Sequence, residues 1–169
     1  MTPPRTLQDL LHSEAIKQLK ADYFHLMDTK QWEAWKECFT EDFVVDGGAV
    51  RDGGRDAFVA YVRVHLQDVS SAHQGYLPVI EILSGTSARG RWSMHDDLRI
   101  PAGHPWSATQ PTRREGYGHY DEEYRREGGR WRISRMRLTY ARLWTVPEDG
   151  AARPDEGSHG AGTSVVRHD

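Results

Sequence analysis

The segment from residue 14 to residue 46 changes from a helical to a strand pattern, and this change constrains the fold more than any other feature of the chain. In its first part, apolar residues recur every three or four positions, which predicts a helix with one buried stripe. The stripe consists of Ile16, Leu19, Tyr23 and Met27. Ser13 followed by Glu14 is a typical helix start. Leu7, Leu10 and Leu11 predict a separate short helix that docks before the main one.

The second part of the segment predicts another helix and a first strand. Trp32, Trp35 and Phe39 repeat the helical spacing. The aromatic and β-branched run at 43–45 then predicts a short strand. Paired glycines at 47–48 and 53–54, each preceded by an aspartate, predict turns after it.

Most of the remaining chain has strand character. Segments rich in aromatic and β-branched residues predict four long strands over 73–82, 87–100, 115–126 and 130–146. Before them, 55–66 has the spacing of a helix, and 101–111 reads as a long loop. Helices followed by long antiparallel strands predict an α+β fold in which the helices cover one face of a bent sheet.

Alternation along the strand over 87–100 predicts which side chains face the core. Ala88, Gly90, Trp92, Met94 and Asp96 share the more apolar face. Asp96 is therefore expected to point inward and Asp97 outward, unless a bulge exchanges them.

Length and composition predict one domain. A chain of 169 residues, 37% hydrophobic and 28% charged, is long enough for one core. We expect the domain to span residues 1–146. Residues 147–169 are rich in Gly, Ala, Pro and Ser and are expected to form a flexible tail.

Net charge, hydropathy and cysteine content limit the classes of partner and the cellular compartment that the sequence predicts. A formal net charge of -3 argues against a nucleic-acid surface, which needs a basic excess. No apolar stretch approaches the roughly 18 residues that span a bilayer, and the N-terminus is too polar for a signal peptide. A single cysteine, Cys38, fits a reducing cytoplasm. The sequence thus predicts a cytoplasmic protein with no nucleic-acid or membrane partner.

Several motifs in this order resemble the SnoaL-like proteins. They are the helix with Tyr23 and Asp28, the isolated His73 before LPVIEI, the ARGRW segment, and GHYDEEYRREGGRWRI. These proteins belong to the superfamily of nuclear transport factor 2, ketosteroid isomerase and scytalone dehydratase. The resemblance implies a cone-shaped barrel, in which N-terminal helices pack on the concave face of a strongly bent mixed or antiparallel sheet.

Within the family, the pattern is most similar to that of bile-acid 7α-dehydratase. Tyr23, Asp28, His73 and Asp96 match that pattern in type and spacing. The resemblance implies that these four residues are catalytic and that no cofactor is needed. The lindane dehydrochlorinase is similar at Asp28 and His73 but carries lysine in place of Tyr23.

The residue types suit acid–base chemistry independently of the resemblance. Histidine exchanges protons near neutral pH, and a neighbouring carboxylate fixes its tautomer and stabilises the imidazolium. We expect His73 to act as base or acid, Asp28 as its partner, Tyr23 as a hydroxyl donor and Asp96 as an orienting carboxylate. Asp28 is also compatible with a helix-capping role, and His73 with a structural one.

The remaining predictions concern the ligand, the cofactor, the reaction and the oligomeric state. Trp92, Met94, Tyr117 and Tyr140 are expected to bind a hydrophobic cyclic substrate. His73, His95, His104 and His119 lack metal-site spacing, so neither a metal nor another cofactor is predicted. The predicted function is a lyase, most specifically a dehydratase. An isomerase or cyclase and a non-catalytic binding protein remain alternatives, and the family resemblance implies a homo-oligomer, either trimer or dimer.

Overall fold

The chain folds into helices that cover one face of a mixed sheet, as seen in a computed structural model that describes residues 6–46, 54–107, 109–147 and 153–154. The helices are α1 (Leu7–Asp28), α2 (Trp32–Lys36) and α3 (Gly54–Leu66). The strands are β1 (Phe39–Val45), β2 (Ser70–Ile82), β3 (Ser87–Ile100), β4 (Thr112–Glu127), β5 (Arg130–Pro147) and β6 (Arg153–Pro154). The α+β class is confirmed.

The sheet has the order β1-β5-β4-β3-β2, with β6 pairing β5. The pairs among β2, β3, β4 and β5 are antiparallel, and β1 runs parallel to β5. Among the described strands, β1 and β2 lie at opposite ends of this order, so the sheet is open. The register shifts on β2 between Tyr76 and Val79, and on β5 at Ala141, opposite Tyr117 and Gly118 of β4; such bulges bend a sheet.

Helix α1 begins earlier than the sequence predicted. Thr6 caps it, because its hydroxyl accepts from the Asp9 N–H while the Asp9 carboxylate accepts from the Thr6 N–H. The predicted start at Ser13 and the separate short helix are therefore wrong, and one continuous helix replaces both. Its inner face packs on the sheet, where the Phe24 ring lies against the backbone at Gly75.

The end of α1 positions the site. The Lys30 N–H donates to the Met27 carbonyl at 3.1 Å and the Gln31 N–H to the Leu26 carbonyl at 2.8 Å, which is a Schellman closure. Lys30 occupies its left-handed position, with φ of 61°. Glycine usually takes this position, because a side chain there costs roughly 1–2 kcal/mol.

Helices α2 and α3 close the core beside β1. The Phe58 ring of α3 packs on Trp35, Phe39 and Phe43 at 5.2–5.6 Å between ring centres. Phe39 belongs to β1 and not to a helix, and it pairs with Ile133 of β5. The predicted helix over 55–66 agrees with α3 to within one residue.

The predicted loop over 101–111 connects β3 and β4 and packs on α3. Nε2 of His104 lies 3.1 Å from the His65 carbonyl oxygen, and the Trp106 ring stacks on His65 at 5.2 Å. Among the described residues, no helix has the length and apolar character needed to cross a bilayer. The predicted turn at 47–48 and residue 53 of the predicted turn at 53–54 lie outside the described residues, as do residues 148–152 and 155–169 of the predicted tail, whereas Gly54 is the first residue of α3.

Candidate active site

Asp28 and His73 form a hydrogen-bonded pair where the end of α1 meets the start of β2. Nδ1 of His73 lies 2.6 Å from Oδ1 of Asp28, and the backbone N–H of His73 donates to Oδ2 at 2.8 Å. The His73 side chain is 8% exposed, so its ring has little freedom to turn. Both carboxylate oxygens thus contact one residue, which fixes the imidazole ring relative to the carboxylate.

Asp28 is held in its charged form. Burial alone would raise its pKa, but hydrogen bonds from His73 and Ser71 outweigh burial and the pKa is lowered. An ionised carboxylate can only accept, so it selects the tautomer of His73 that carries its proton on Nδ1. Nε2 is then the basic nitrogen of the pair.

Asp96 lies directly across from His73, because the two residues are register partners on β3 and β2. It is 2% exposed, and its Oδ2 accepts a hydrogen bond from the Tyr140 hydroxyl. Oδ1 is buried without a hydrogen-bond partner among the described residues. Burial raises the pKa of Asp96, although His73 and Tyr140 both oppose this effect. A proton on Asp96 would therefore sit on Oδ1, since Tyr140 already donates to Oδ2.

Gly116 makes room for this carboxyl group. It is the register partner of Asp96 on β4, and a methyl group on its Cα would overlap Oδ1 of Asp96 and the Tyr140 ring. The contact between Asp96 and Tyr140 therefore requires glycine at position 116.

We expect Gly116→Ala to lower the free energy of unfolding by about 1–3 kcal/mol, because the new methyl group forces two buried side chains apart. Urea denaturation followed by tryptophan fluorescence measures the change. The control is Gly85→Ala, since a methyl group there would have nothing within 4 Å. Equal stability of the two variants would contradict the proposed packing.

Tyr23 is on the buried face of α1 but does not contact the Asp28–His73 pair. Its hydroxyl lies 3.8 Å from the Met136 sulfur, and its ring packs on Phe24, Trp35 and Tyr120. Burial raises its pKa well above the usual value, so the hydroxyl keeps its proton. The hydroxyl that pairs with a site carboxyl is instead that of Tyr140.

The predicted ligand-contacting residues divide between the two faces of the sheet. Trp92 and Met94 lie on the inner face with Asp96, as the alternation of β3 predicted, and Trp92 Nε1 donates to the Tyr124 hydroxyl at 2.8 Å. Tyr117 lies on the outer face, 41% exposed and stacked on His95. Tyr117, which was expected to bind the substrate, therefore lies on the opposite face of the sheet from Asp96, Trp92 and Met94.

Ser71, Lys30 and Gly116 complete the site, and the sequence analysis did not identify them. The Ser71 hydroxyl donates to Oδ1 of Asp28 at 2.8 Å and accepts from Lys30 Nζ at 2.8 Å. Ser71 precedes His73 by two positions on β2, so the two side chains point to the same face of the sheet. This spacing is the local sequence feature that could have identified Ser71 as part of the site. Within residues 6–46, 54–107 and 109–147, no three His, Cys, Asp or Glu side chains are arranged to hold a metal ion.

Comparison with known proteins identifies relatives over most of the chain. The sequence pattern of the SnoaL-like domain matches residues 8–137. The fold is similar to that of a candidate scytalone dehydratase from Novosphingobium aromaticivorans, with a TM-score of 0.71 and 21% identity over 90% of this chain and 98% of that one. It is also similar to a hexachlorocyclohexane dehydrochlorinase, with a TM-score of 0.71 and 17% identity over 88% of this chain and 98% of that one.

A third relative has higher sequence identity but no known function. It is a variant protein from Mycobacterium tuberculosis, 29% identical over 79% of this chain and 78% of that one, with a TM-score of 0.65.

Proposed function

The chain belongs to the SnoaL-like family, and on that premise we propose that it is a dehydratase that removes water from a hydrophobic cyclic substrate. The observation that carries this proposal is that His73 of the Asp28–His73 pair is the direct register partner of Asp96 on the neighbouring strand. A base and a carboxyl group with a raised pKa then face each other from neighbouring strands. Elimination needs such a pair, because one group must take a proton while the other gives one.

The proposed reaction begins at His73. Its Nε2 removes a proton from the carbon beside a carbonyl group, and Asp28 stabilises the imidazolium that forms. The electrons of the broken C–H bond form the new double bond as the C–O bond to the hydroxyl group breaks. Oδ1 of Asp96 gives its proton to the departing hydroxyl, which leaves as water. Transfer of the proton from His73 back to Asp96 restores the starting state.

Tyr140 takes a supporting role in this scheme. Its donated hydrogen bond orients Asp96 and stabilises the carboxylate that remains after proton transfer. Tyr23 contacts Met136 with its hydroxyl and lines the deeper part of the core. We therefore assign the proton donation first expected of Tyr23 to Asp96.

The inner face favours an apolar substrate. Beside Asp96, the side chains on this face include Met94, Trp92 and Tyr120, and the ring of Phe24 covers them from α1. The names of two structural relatives, a dehydratase and a dehydrochlorinase, both denote eliminations from carbon skeletons. These features support a polyketide, terpenoid or steroid-like alcohol as substrate.

The test is a mass-spectrometric screen of the protein against β-hydroxy ketones, polyketide phenols and steroid-like alcohols with no added cofactor. We expect one substrate class to lose the mass of one water in the presence of the wild-type protein. Loss of water that proceeds equally with Asp96→Asn would contradict the proposed proton donor. Retention of a ligand with no chemical change would contradict catalysis and indicate a binding protein.

An isomerase is the second candidate, because a protonated Asp96 hydrogen-bonded to Tyr140 can also donate to an enolate oxygen. His73 would then move a proton between two carbons without loss of water. The same screen separates the two reactions, since isomerisation changes the chromatographic retention or the ultraviolet spectrum but not the mass.

A further inference from the structure

Asp28 is linked to a lysine through a single hydroxyl group. Lys30 Nζ donates to Oγ of Ser71 at 2.8 Å, and Ser71 donates to Oδ1 of Asp28 at 2.8 Å. The same Oδ1 lies 2.6 Å from Nδ1 of His73. Ammonium groups only donate and carboxylates only accept, so the single proton of Ser71 must point toward Asp28. The direction of every hydrogen bond in this chain of four residues is therefore fixed.

The backbone at Lys30 gives independent reason to assign a role to its side chain. Lys30 occupies the left-handed position of the Schellman closure, with φ of 61°. Glycine is the usual residue there, and any side chain adds strain. A strained non-glycine residue whose side chain reaches the site is an observation from which function can be inferred. The lysine is at the position from which its ammonium group reaches Ser71.

We propose that Lys30 and Ser71 form a positioning arm that holds the Asp28 carboxylate charged and aimed at His73. The inference deepens the proposed function and rests on it, since it assigns two further residues to the same reaction. Neither residue needs to touch the substrate, because both act through Asp28. The arm fixes one lone pair of Oδ1, and the remaining lone pair is directed to Nδ1 of His73.

The other charged and titratable groups around the pair come from the sheet. From β3, Asp96 lies across from His73 of β2. Tyr140 of β5 donates to Asp96, and the charge of Arg114 of β4 lowers the pKa of Asp96, while the charge of Asp28 raises the pKa of Tyr120 on the same strand. Ser71 is among the groups that lower the pKa of Asp28, and Asp28 in turn opposes the lowering of the Lys30 pKa by burial.

The test is an NMR titration of the Asp28 carboxyl carbon in the full chain, which requires no substrate. We expect Ser71→Ala to raise the pKa of Asp28 by about one unit, because one hydrogen bond to the charged form is lost. Lys30→Gly is expected to raise it by about half a unit, since a positive charge nearby is removed. Ser71→Thr, which keeps the hydroxyl group, should restore the wild-type titration.

The melting temperature separates positioning from a structural role. Lys30→Gly should leave the Tm unchanged or raise it, because glycine relieves the left-handed backbone while one hydrogen bond is lost. A purely structural arm would lower the Tm and leave the titration of Asp28 unchanged. The control is Lys17→Met, whose ammonium group pairs with Glu14 on the exposed side of α1.

An Asp28 titration that matches wild type in both Ser71→Ala and Lys30→Gly would overturn this inference. The measurement does not depend on turnover, so it can fail while the dehydratase screen succeeds. Conversely, a shifted titration in a protein that turns over none of the compounds would support the arm and contradict the proposed reaction.

Discussion

Replacing His73 with alanine is expected to lower turnover by about 100- to 10,000-fold while the fold stays intact. The loss follows from the removal of Nε2, because a positioned acid or base contributes a factor of this size. The pair lies at the end of α1 and not in the centre of the core, where truncation is costlier. Turnover is measured by the mass change of the substrate that the screen identifies, and folding by circular dichroism.

The structure explains why this variant should remain folded. The backbone N–H of residue 73 donates to Oδ2 of Asp28, and alanine keeps that donor. Ser71 continues to donate to Oδ1. Asp28 therefore keeps two of its hydrogen bonds and is not left as a buried, unsatisfied charge.

The outer face of the sheet offers a matched control. His119 lies 3.5 Å from Asp121 through Nε2 and Oδ2, so it is also a histidine beside an aspartate, but on the face away from Asp96. His119→Ala should retain wild-type turnover. Equal activity of His73→Ala and His119→Ala would exclude His73 as the base.

The regular parts of the fold were predictable because their patterns are long and uninterrupted. The strand predicted over 87–100 coincides with β3, and its inward face was also predicted correctly. Every second side chain of β3 is buried along its whole length and the others are more exposed, so the period of two stays visible in the sequence.

The predictions were wrong where a local pattern was short or was compatible with both a helix and a strand. Phe39 continues the helical spacing of Trp32 and Trp35, yet it pairs with β5, since three positions cannot separate a helix from a strand. The early start of α1 was missed because Leu7, Leu10 and Leu11 are more than half exposed and do not continue the buried stripe. Its capping box, Thr6 followed by Asp9, was nevertheless present in the sequence.

Contacts within the site were only partly accessible from the sequence. The alternation of side chains along β3 correctly predicted that Asp96 points inward. The family resemblance predicted that Asp28 and His73 belong to one site. The Tyr140 contact depends on the register of β3, β4 and β5 and on a bulge at Ala141 of β5, opposite Tyr117 and Gly118. The link to Lys30 depends on one left-handed turn. A bulge and a single left-handed turn produce no repeating pattern of apolar residues, so neither could be predicted from one sequence.

A buried ion pair between α1 and β4 was visible in the same patterns but was not identified. Lys20 lies four residues after Ile16 and three before Tyr23, so it occupies a position of the buried stripe. Glu122 alternates with Tyr120 and Tyr124 on the inner face of β4. Two opposite charges at core positions predict a pair, and Lys20 Nζ lies 2.6 Å from Oε1 of Glu122 with both side chains at most 1% exposed.

The surroundings of this pair lead us to expect that it is sensitive to mutation. Glu122 also accepts from the Tyr124 hydroxyl, and Lys20 Nζ lies 3.9 Å and 3.7 Å from the ring centres of Tyr23 and Tyr120. Burial lowers the pKa of Lys20 although Glu122 opposes this effect. Each charge is therefore stabilised chiefly by its partner, since water does not reach either one.

Lys20→Met is expected to lower the free energy of unfolding by about 3–5 kcal/mol, because it leaves the Glu122 carboxylate buried without its cation. A loss of this size is a large part of the roughly 5–15 kcal/mol that stabilises a typical domain. Urea denaturation measures it. Lys17→Met, one turn earlier on the exposed side, removes a pair that contributes at most about 1 kcal/mol and serves as the control.

The double variant Lys20→Met with Glu122→Gln distinguishes the burial of an unpaired charge from the loss of packing. Glutamine keeps an acceptor for the Tyr124 hydroxyl and removes the charge, so the double variant should recover most of the stability that Lys20→Met loses. If the double variant is as unstable as the single one, the lysine stabilises the core through its contacts with the Tyr23 and Tyr120 rings. Recovery would instead show that each charge is needed only to neutralise the other. It would also show that α1 packs on the sheet when both charges are removed.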